Sequence, residues 1–186
     1  MNRSRPNILI TGTPGTGKTT TSELVARELG FRHINVGEWV REKGLHSGWN
    51  QEFECFDLDE DKVCDALEDL MAEGGNVVDH HGCDFFPERW FDLVAVLQTN
   101  NTELYDRLQK RGYSAQKISE NVECEIMLVV LEEASESYRP EIVKPLSSDN
   151  TDDLERNVGL IVGWVRGMIG AAAAGAAAGQ QQHQQR

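Results

Sequence analysis

Residues 8–21 read ILITGTPGTGKTTT: an apolar run, a loop with Gly12, Gly15 and Gly17 around Pro14, then Lys18 and three threonines. Glycine weakens ordinary helices and strands, so three of them in one loop need a reason. A strand ending in Ile10 and Thr11 leads into the loop, and the residues after Lys18 look helical. The pattern is G-x-x-x-x-G-K-T, from Gly12 through Gly17 and Lys18 to Thr19. Its glycines let the backbone curl around an anion, and the exposed N–H groups and the helix N-terminus face that anion. Lys18 adds a positive charge, and Thr19 can hold Mg²⁺. The plain alternative is a glycine-rich turn with a solvent-facing lysine. The strand before and the helix after argue for phosphate, so the loop is expected to bind a nucleoside triphosphate.

The 186 residues suffice for one compact domain with a sizeable core. Lysine and arginine total 18 against 31 aspartates and glutamates, a formal charge of −13. Bare phosphate backbones repel such a chain, so direct non-specific nucleic-acid binding is not expected. An acidic surface suits basic protein partners, or simply keeps the protein soluble. The sequence reads as having no long apolar span and no signal peptide, so no membrane is expected. Cys55, Cys64, Cys83 and Cys124 lack C-x-x-C pairing, which fits reduced thiols in the nucleus or cytoplasm. His80, His81 and Cys83 have metal-ligand chemistry, but no second cluster completes a four-ligand set.

Periodicity predicts an alternating α/β order. Strands are expected at 7–11, 32–35, 76–79 and 92–98, with a short one near 142–145. Helices are expected at 18–29, 36–43, 59–72, 101–110, 116–137 and 151–169. In the 116–137 helix Ile118, Val122, Ile126, Val129, Val130 and Ala134 form a core-facing stripe. Leu154, Val158, Ile161, Val165 and Ile169 repeat the pattern. Short strands apolar on both faces predict a buried parallel sheet between helices, mostly five-stranded, with ligands at the strands' carboxyl ends. Residues 45–58 carry aromatics and acids without clear periodicity. Residues 171–186, AAAAGAAAGQQQHQQR, are expected to be a disordered tail after a domain spanning 1–170.

Three further stretches bear on phosphate chemistry. NVVDHHG, residues 76–82, is a strand ending in Asp79, which can hold Mg²⁺ beside Thr19 or simply cap a turn. RLQKRGYS, residues 107–114, sets Arg107, Lys110 and Arg111 at a helix end, where bases also offset the macrodipole. INVGEWVREKG, residues 34–44, offers Gly37 and Arg41 to a second phosphate-bearing substrate.

On these residues the chain resembles the nucleoside monophosphate kinases, and more closely the adenylate kinase isoenzyme 6 (coilin-interacting nuclear ATPase) family. The resemblance covers residues 6–169: PNILITGTPGTGKTT, INVGEWVRE, VVDHHGCDFFPERWFDLV, YDRLQKRGY and CEIMLVVLEEASESY. GCDFFPERWF, residues 82–91, is its most specific part. The aspartate–glycine–aromatic–proline–arginine element of ordinary adenylate kinases is absent. So is the glycine–arginine pair of their lid, since Gly112 is followed by Tyr113, Ser114 and Ala115.

The resemblance implies a P-loop fold of nucleoside monophosphate kinase type, with a monophosphate-binding region at 35–58 and a lid at 110–120. It implies a broad-specificity adenylate kinase, ATP + AMP ⇌ 2 ADP with Mg²⁺, that also hydrolyses ATP. It also implies a monomer acting in small ribosomal subunit maturation and 18S rRNA processing, through a basic small-subunit ribosomal protein, in nucleus and cytoplasm. Nucleotide contacts carry over to Gly15, Thr16, Gly17, Lys18, Thr19, Thr20 and Arg111, the metal site to Thr19 and Asp79, and ATPase chemistry to His81. His81 can instead hydrogen-bond the turn at Gly82 and Cys83. His80, where some members have tyrosine, is given no role. Two rival readings stay open: an ATP-dependent assembly factor whose nucleotide state controls partner binding, and a small kinase for another acceptor, of shikimate or gluconate type.

Overall fold

In the computed structural model of the chain, residues 3–50 and 55–183 are described, the side chains of 55, 56 and 176–183 excepted. Part of the 45–58 stretch (residues 51–54) and the end of the expected tail (184–186) lie outside them. Five strands, β1 (Ile8–Thr11), β2 (Arg32–Asn35), β5 (Asn76–Asp79), β6 (Leu93–Gln98) and β7 (Val143–Ser147), form a sheet in the order β2-β5-β1-β6-β7. Every neighbouring pair is parallel. The expected buried parallel sheet is therefore present, with β1 at its centre.

Both faces of the sheet are covered, which explains why its strands are apolar throughout. Leu9, Val78, Val94 and Val96 pack on one side with Val36 and Val40 of α2 (Val36–Lys43) and with Leu67 and Met71 of α3 (Glu60–Glu73). Ile8, Ile10, Val77 and Leu97 pack on the other, against Val25 of α1 (Lys18–Leu29) and Ile161 and Val165 of α7 (Thr151–His183). Register aligns the strand ends: Asp79 pairs with Ile10 on one side and Asn35 on the other. The first loop and the ends of β2 and β5 thus open at one edge.

Four expectations need correction. The helix predicted over 116–137 is two: α5 (Ala115–Ile126) and α6 (Val129–Ser137), which follow α4 (Asn101–Lys110). Leu128 between them adopts φ +55°, the only left-handed residue besides glycine among those described. The break redirects the stripe: Ile118 packs on Leu104 and Leu108, Ala134 joins the main core, and Ile126 is exposed. A three-to-four spacing continues smoothly across such a turn, so periodicity does not reveal it.

Residues 45–58 contain an antiparallel pair, β3 (His46–Asn50) and β4 (Cys55–Leu58). This pair lies outside the main sheet, so it carries no buried-strand pattern. Finally, α7 continues to His183, making residues 171–183 helical where a structureless tail is expected. Alanine has the highest helix propensity, and the run extends a helix already nucleated. Within Thr151–Gly175, an 18-residue window reaches a mean hydropathy of 1.5, long and apolar enough to cross a bilayer by length and composition. That corrects the reading of no long apolar span, although Ile161, Val162 and Val165 of this helix are buried against the domain.

Candidate functional site

The glycines of the first loop are forced by close approach. A Cβ on Gly12, at φ +144°, would lie 2.5 Å from the Leu97 carbonyl oxygen. One on Gly15 would meet Leu104 Cδ1 at 2.8 Å. Only glycine lets the loop press onto β6 and α4 while turning its amides inward. Lys18 Nζ donates to the carbonyls of Gly12 (2.8 Å) and Thr13 (3.0 Å). Burial lowers its pKa to about 8; Asp79 and Glu125 draw it back up, and Arg111 pushes it down. The loop therefore concentrates N–H dipoles and one ammonium at a single point.

At the end of β5, Asp79 is buried and surrounded by donors. Thr19 Oγ1 donates to Asp79 Oδ1 at 3.4 Å, and Asn35 Nδ2 to the same oxygen at 3.2 Å. His33 Nε2 stands 2.5 Å from Asp79 Oδ2. A hydroxyl and a carboxylate side by side at a phosphate loop fit Mg²⁺, which takes few protein oxygens and keeps water and phosphate as its other ligands. Both predicted metal residues are thus brought together.

Two cavities open beside this point. The first, about 800 Å³, is lined by Gly15, Gly17, Lys18, Thr20 and Arg111 and walled by α5. The second, about 750 Å³, takes in Asn35, Gly37, Arg41 and the exposed Trp49. Thr19, His81, Gly82, Asp84, Tyr113 and Lys117 line both. The predicted triphosphate residues fall in one chamber and the predicted acceptor residues in the other, with the loop threonine and a histidine at the junction. Thr16 is instead buried beneath the loop, its Oγ1 donating to the Thr13 carbonyl at 2.9 Å.

The two histidines have different surroundings. His80 is buried, its ring edge-on to Phe85 and Phe86, and its Nδ1 stands 2.9 Å from the Gly82 carbonyl and 3.2 Å from the Gly82 amide. The turn-bonding considered for His81 is therefore made by His80. Burial, with His81 next in effect, lowers the His80 pKa to about 3. His81 is exposed at the cleft; desolvation by the cleft walls, with Lys18 and Lys117 nearby, lowers its pKa to about 4. A neutral imidazole faces both chambers.

Sequence reasoning missed several contributors. Asn35 caps α2 by accepting from the Glu38 amide at 2.9 Å while it also reaches Asp79. His33 lies two residues before it, and strand alternation would have linked the two had the β2–β5 register been known. Arg107, which the sequence did single out, is drawn away from the cleft, donating to the carbonyls of Gly15 (3.3 Å), Ser148 (2.9 Å) and Asp149 (2.6 Å). Lys117 lies over the Tyr113 ring at 4.7 Å at the junction of the chambers.

Comparison with known proteins gives a consistent result. A family model described as an AAA domain matches residues 8–128. The chain is 55% identical over 166 residues to the adenylate kinase isoenzyme 6 homolog of Dictyostelium discoideum, covering 89% of this chain and 95% of that protein. It is 54% identical over 158 residues to the homolog of Caenorhabditis elegans, covering 84% and 87% respectively. Among solved structures, shikimate kinase from Bacteroides thetaiotaomicron superposes with a TM-score of 0.60 at 16% identity, over 87% of this chain and 98% of that one. A gluconokinase from Sinorhizobium meliloti 1021 reaches 0.58 at 14%, over 90% and 97%. At such identities these two speak for the fold alone.

Proposed function

We propose that this chain, which belongs to the adenylate kinase isoenzyme 6 family of P-loop kinases, transfers the γ-phosphoryl group of ATP to AMP. Other nucleoside monophosphates serve as acceptors too, and water takes the acceptor's place in a slower hydrolysis. The observation that carries this reading is the junction of the two cavities at Thr19 and His81. A donor chamber opening onto an acceptor chamber suits direct transfer between two bound phosphates.

Each residue then has a task. The amides from Gly15 to Thr20 and the Lys18 ammonium hold the triphosphate, and Arg111 neutralises charge on the transferring group. Gly37 and Arg41 receive the AMP phosphate, which is already an anion and needs no general base. Thr19 and Asp79 would hold Mg²⁺, which supplies charge neutralisation across the phosphate oxygens. His81, neutral at physiological pH, accepts a hydrogen bond from the water used in hydrolysis.

The balance of 31 acids to 18 bases supports a basic protein partner. On family grounds that partner is a small-subunit ribosomal protein. The role is maturation of that subunit and its 18S rRNA, in nucleus and cytoplasm, with nucleotide state controlling the grip.

The test is ADP formation from ATP plus AMP, and phosphate release from ATP alone, in wild type and Lys18→Ala. The variant should lose ~10²-fold or more in both reactions while keeping its circular dichroism spectrum. Near-normal turnover in the variant, or no ADP from AMP in wild type, would overturn the proposal.

A further inference from the structure

Thr13 sits in the phosphate loop and lines the donor chamber, while its hydroxyl is bonded to α5. Its hydroxyl donates to Glu125 Oε2 at 2.5 Å, and Glu125 Oε1 accepts from the Thr99 amide at 2.7 Å, just past β6. The connections continue. Thr99 Oγ1 donates to the Ser148 carbonyl (3.0 Å), Ser148 Oγ to the Thr16 carbonyl (2.7 Å), and Thr16 Oγ1 to the Thr13 carbonyl (2.9 Å). Thr13, Glu125, Thr99, Ser148 and Thr16 therefore close a ring of hydrogen bonds, and all five residues are buried. Within this ring the Thr13 carbonyl also receives Lys18 Nζ.

We infer that Glu125 is a positioning residue, holding the phosphate loop in its nucleotide-binding shape from outside the loop. It is the ring's member from α5, the helix whose Lys117, Asn121 and Cys124 wall the donor chamber. It joins that wall to the loop. A buried carboxylate is costly unless both oxygens are satisfied, and here each accepts one donor. An apolar side chain would fill the same space without that cost, but it would leave the Thr13 hydroxyl and the Thr99 amide unpartnered. Dipoles aimed at a phosphate act most strongly when they need no reorganisation, and a bonded ring supplies that rigidity.

Charge and position make opposite predictions, which allows a decisive test. A carboxylate near a phosphate site opposes anion binding, so its removal would by charge alone tighten ATP. If Glu125 acts by position, its removal loosens ATP. The inference rests on the loop being the ATP site, so direct ATP affinity is measured by isothermal titration for wild type, Glu125→Ala, Glu125→Gln and Thr13→Val. Wild type that fails to bind ATP would refute the site itself.

Given binding, Glu125→Ala and Thr13→Val should each weaken ATP by about 10-fold. The double variant should be no weaker than the worse single one. Glu125→Gln can accept from Thr99 and donate to Thr13 Oγ1, so it should stay closer to wild type. The KM for AMP at saturating ATP should move less than twofold in all of them. Wild-type or tighter ATP binding in folded Glu125→Ala would overturn the inference. If that variant does not fold, wild-type affinity in Thr13→Val would do so.

Discussion

His33 Nε2 and Asp79 Oδ2 stand 2.5 Å apart across neighbouring parallel strands, 46 positions apart in the chain. This contact occupies one carboxylate oxygen and leaves Oδ1 toward Thr19. Groups that orient a metal-binding carboxylate commonly affect metal affinity by tenfold or more. His33→Ala should therefore raise the Mg²⁺ concentration for half-maximal ATP turnover by about 10-fold. A Mg²⁺ titration of both proteins at fixed ATP checks this, and superimposable curves would remove His33 from the site.

Arg41 and Arg111 line different chambers. Arg41→Ala should raise the KM for AMP by about 10-fold and leave AMP-independent hydrolysis within twofold, the signature of lost acceptor binding. Arg111→Ala should damage transfer and hydrolysis alike. Steady-state kinetics of both variants in both assays decide the matter; matching losses throughout would argue against separate roles.

His81 has its pKa lowered to about 4 by desolvation in the cleft and by Lys18 and Lys117, so the ring is neutral and able to accept across pH 6–8. Hydrolysis should then be insensitive to this group in that range. Protonation should shut hydrolysis off only as the pH falls well below 6, towards about 4. His81→Gly should reduce hydrolysis by ~10²-fold, transfer to AMP less, and lose that acid limb. Equal losses in the two reactions would leave His81 as part of the structure only.

His80 makes a prediction about stability. Its pKa falls from 6.5 to about 3 on folding, so the folded chain binds fewer protons between those values. Stability therefore drops as pH falls from 6.5 towards 3, by up to about 1.4 kcal/mol per pH unit from this residue. His80→Asn retains both a donor and an acceptor for Gly82 and does not titrate. Urea unfolding at pH 7, 6 and 5 should show a shallower loss in the variant, whereas parallel slopes would contradict the assignment.

Much of this was legible in the linear chain because it depends on near neighbours. The loop from Gly12 to Thr19, the helix it opens and the acidic end of the 76–79 strand follow from local sterics and apolar runs. So does the short α4, whose bounds at 101 and 110 match the structure. Sequence alone thus determined the fold class and the place where phosphate chemistry is expected. The tertiary structure decided which distant groups surround that place. Glu125 reaches Thr13 across 112 positions, and His33 reaches Asp79, because strand order and register bring them together. Periodicity encodes neither. It also failed at Leu128, where a left-handed turn preserves the three-to-four spacing while sending α6 into a different core. At the C-terminus low complexity misled in the other direction, since alanine's helix propensity carries α7 on through residues with no core to build.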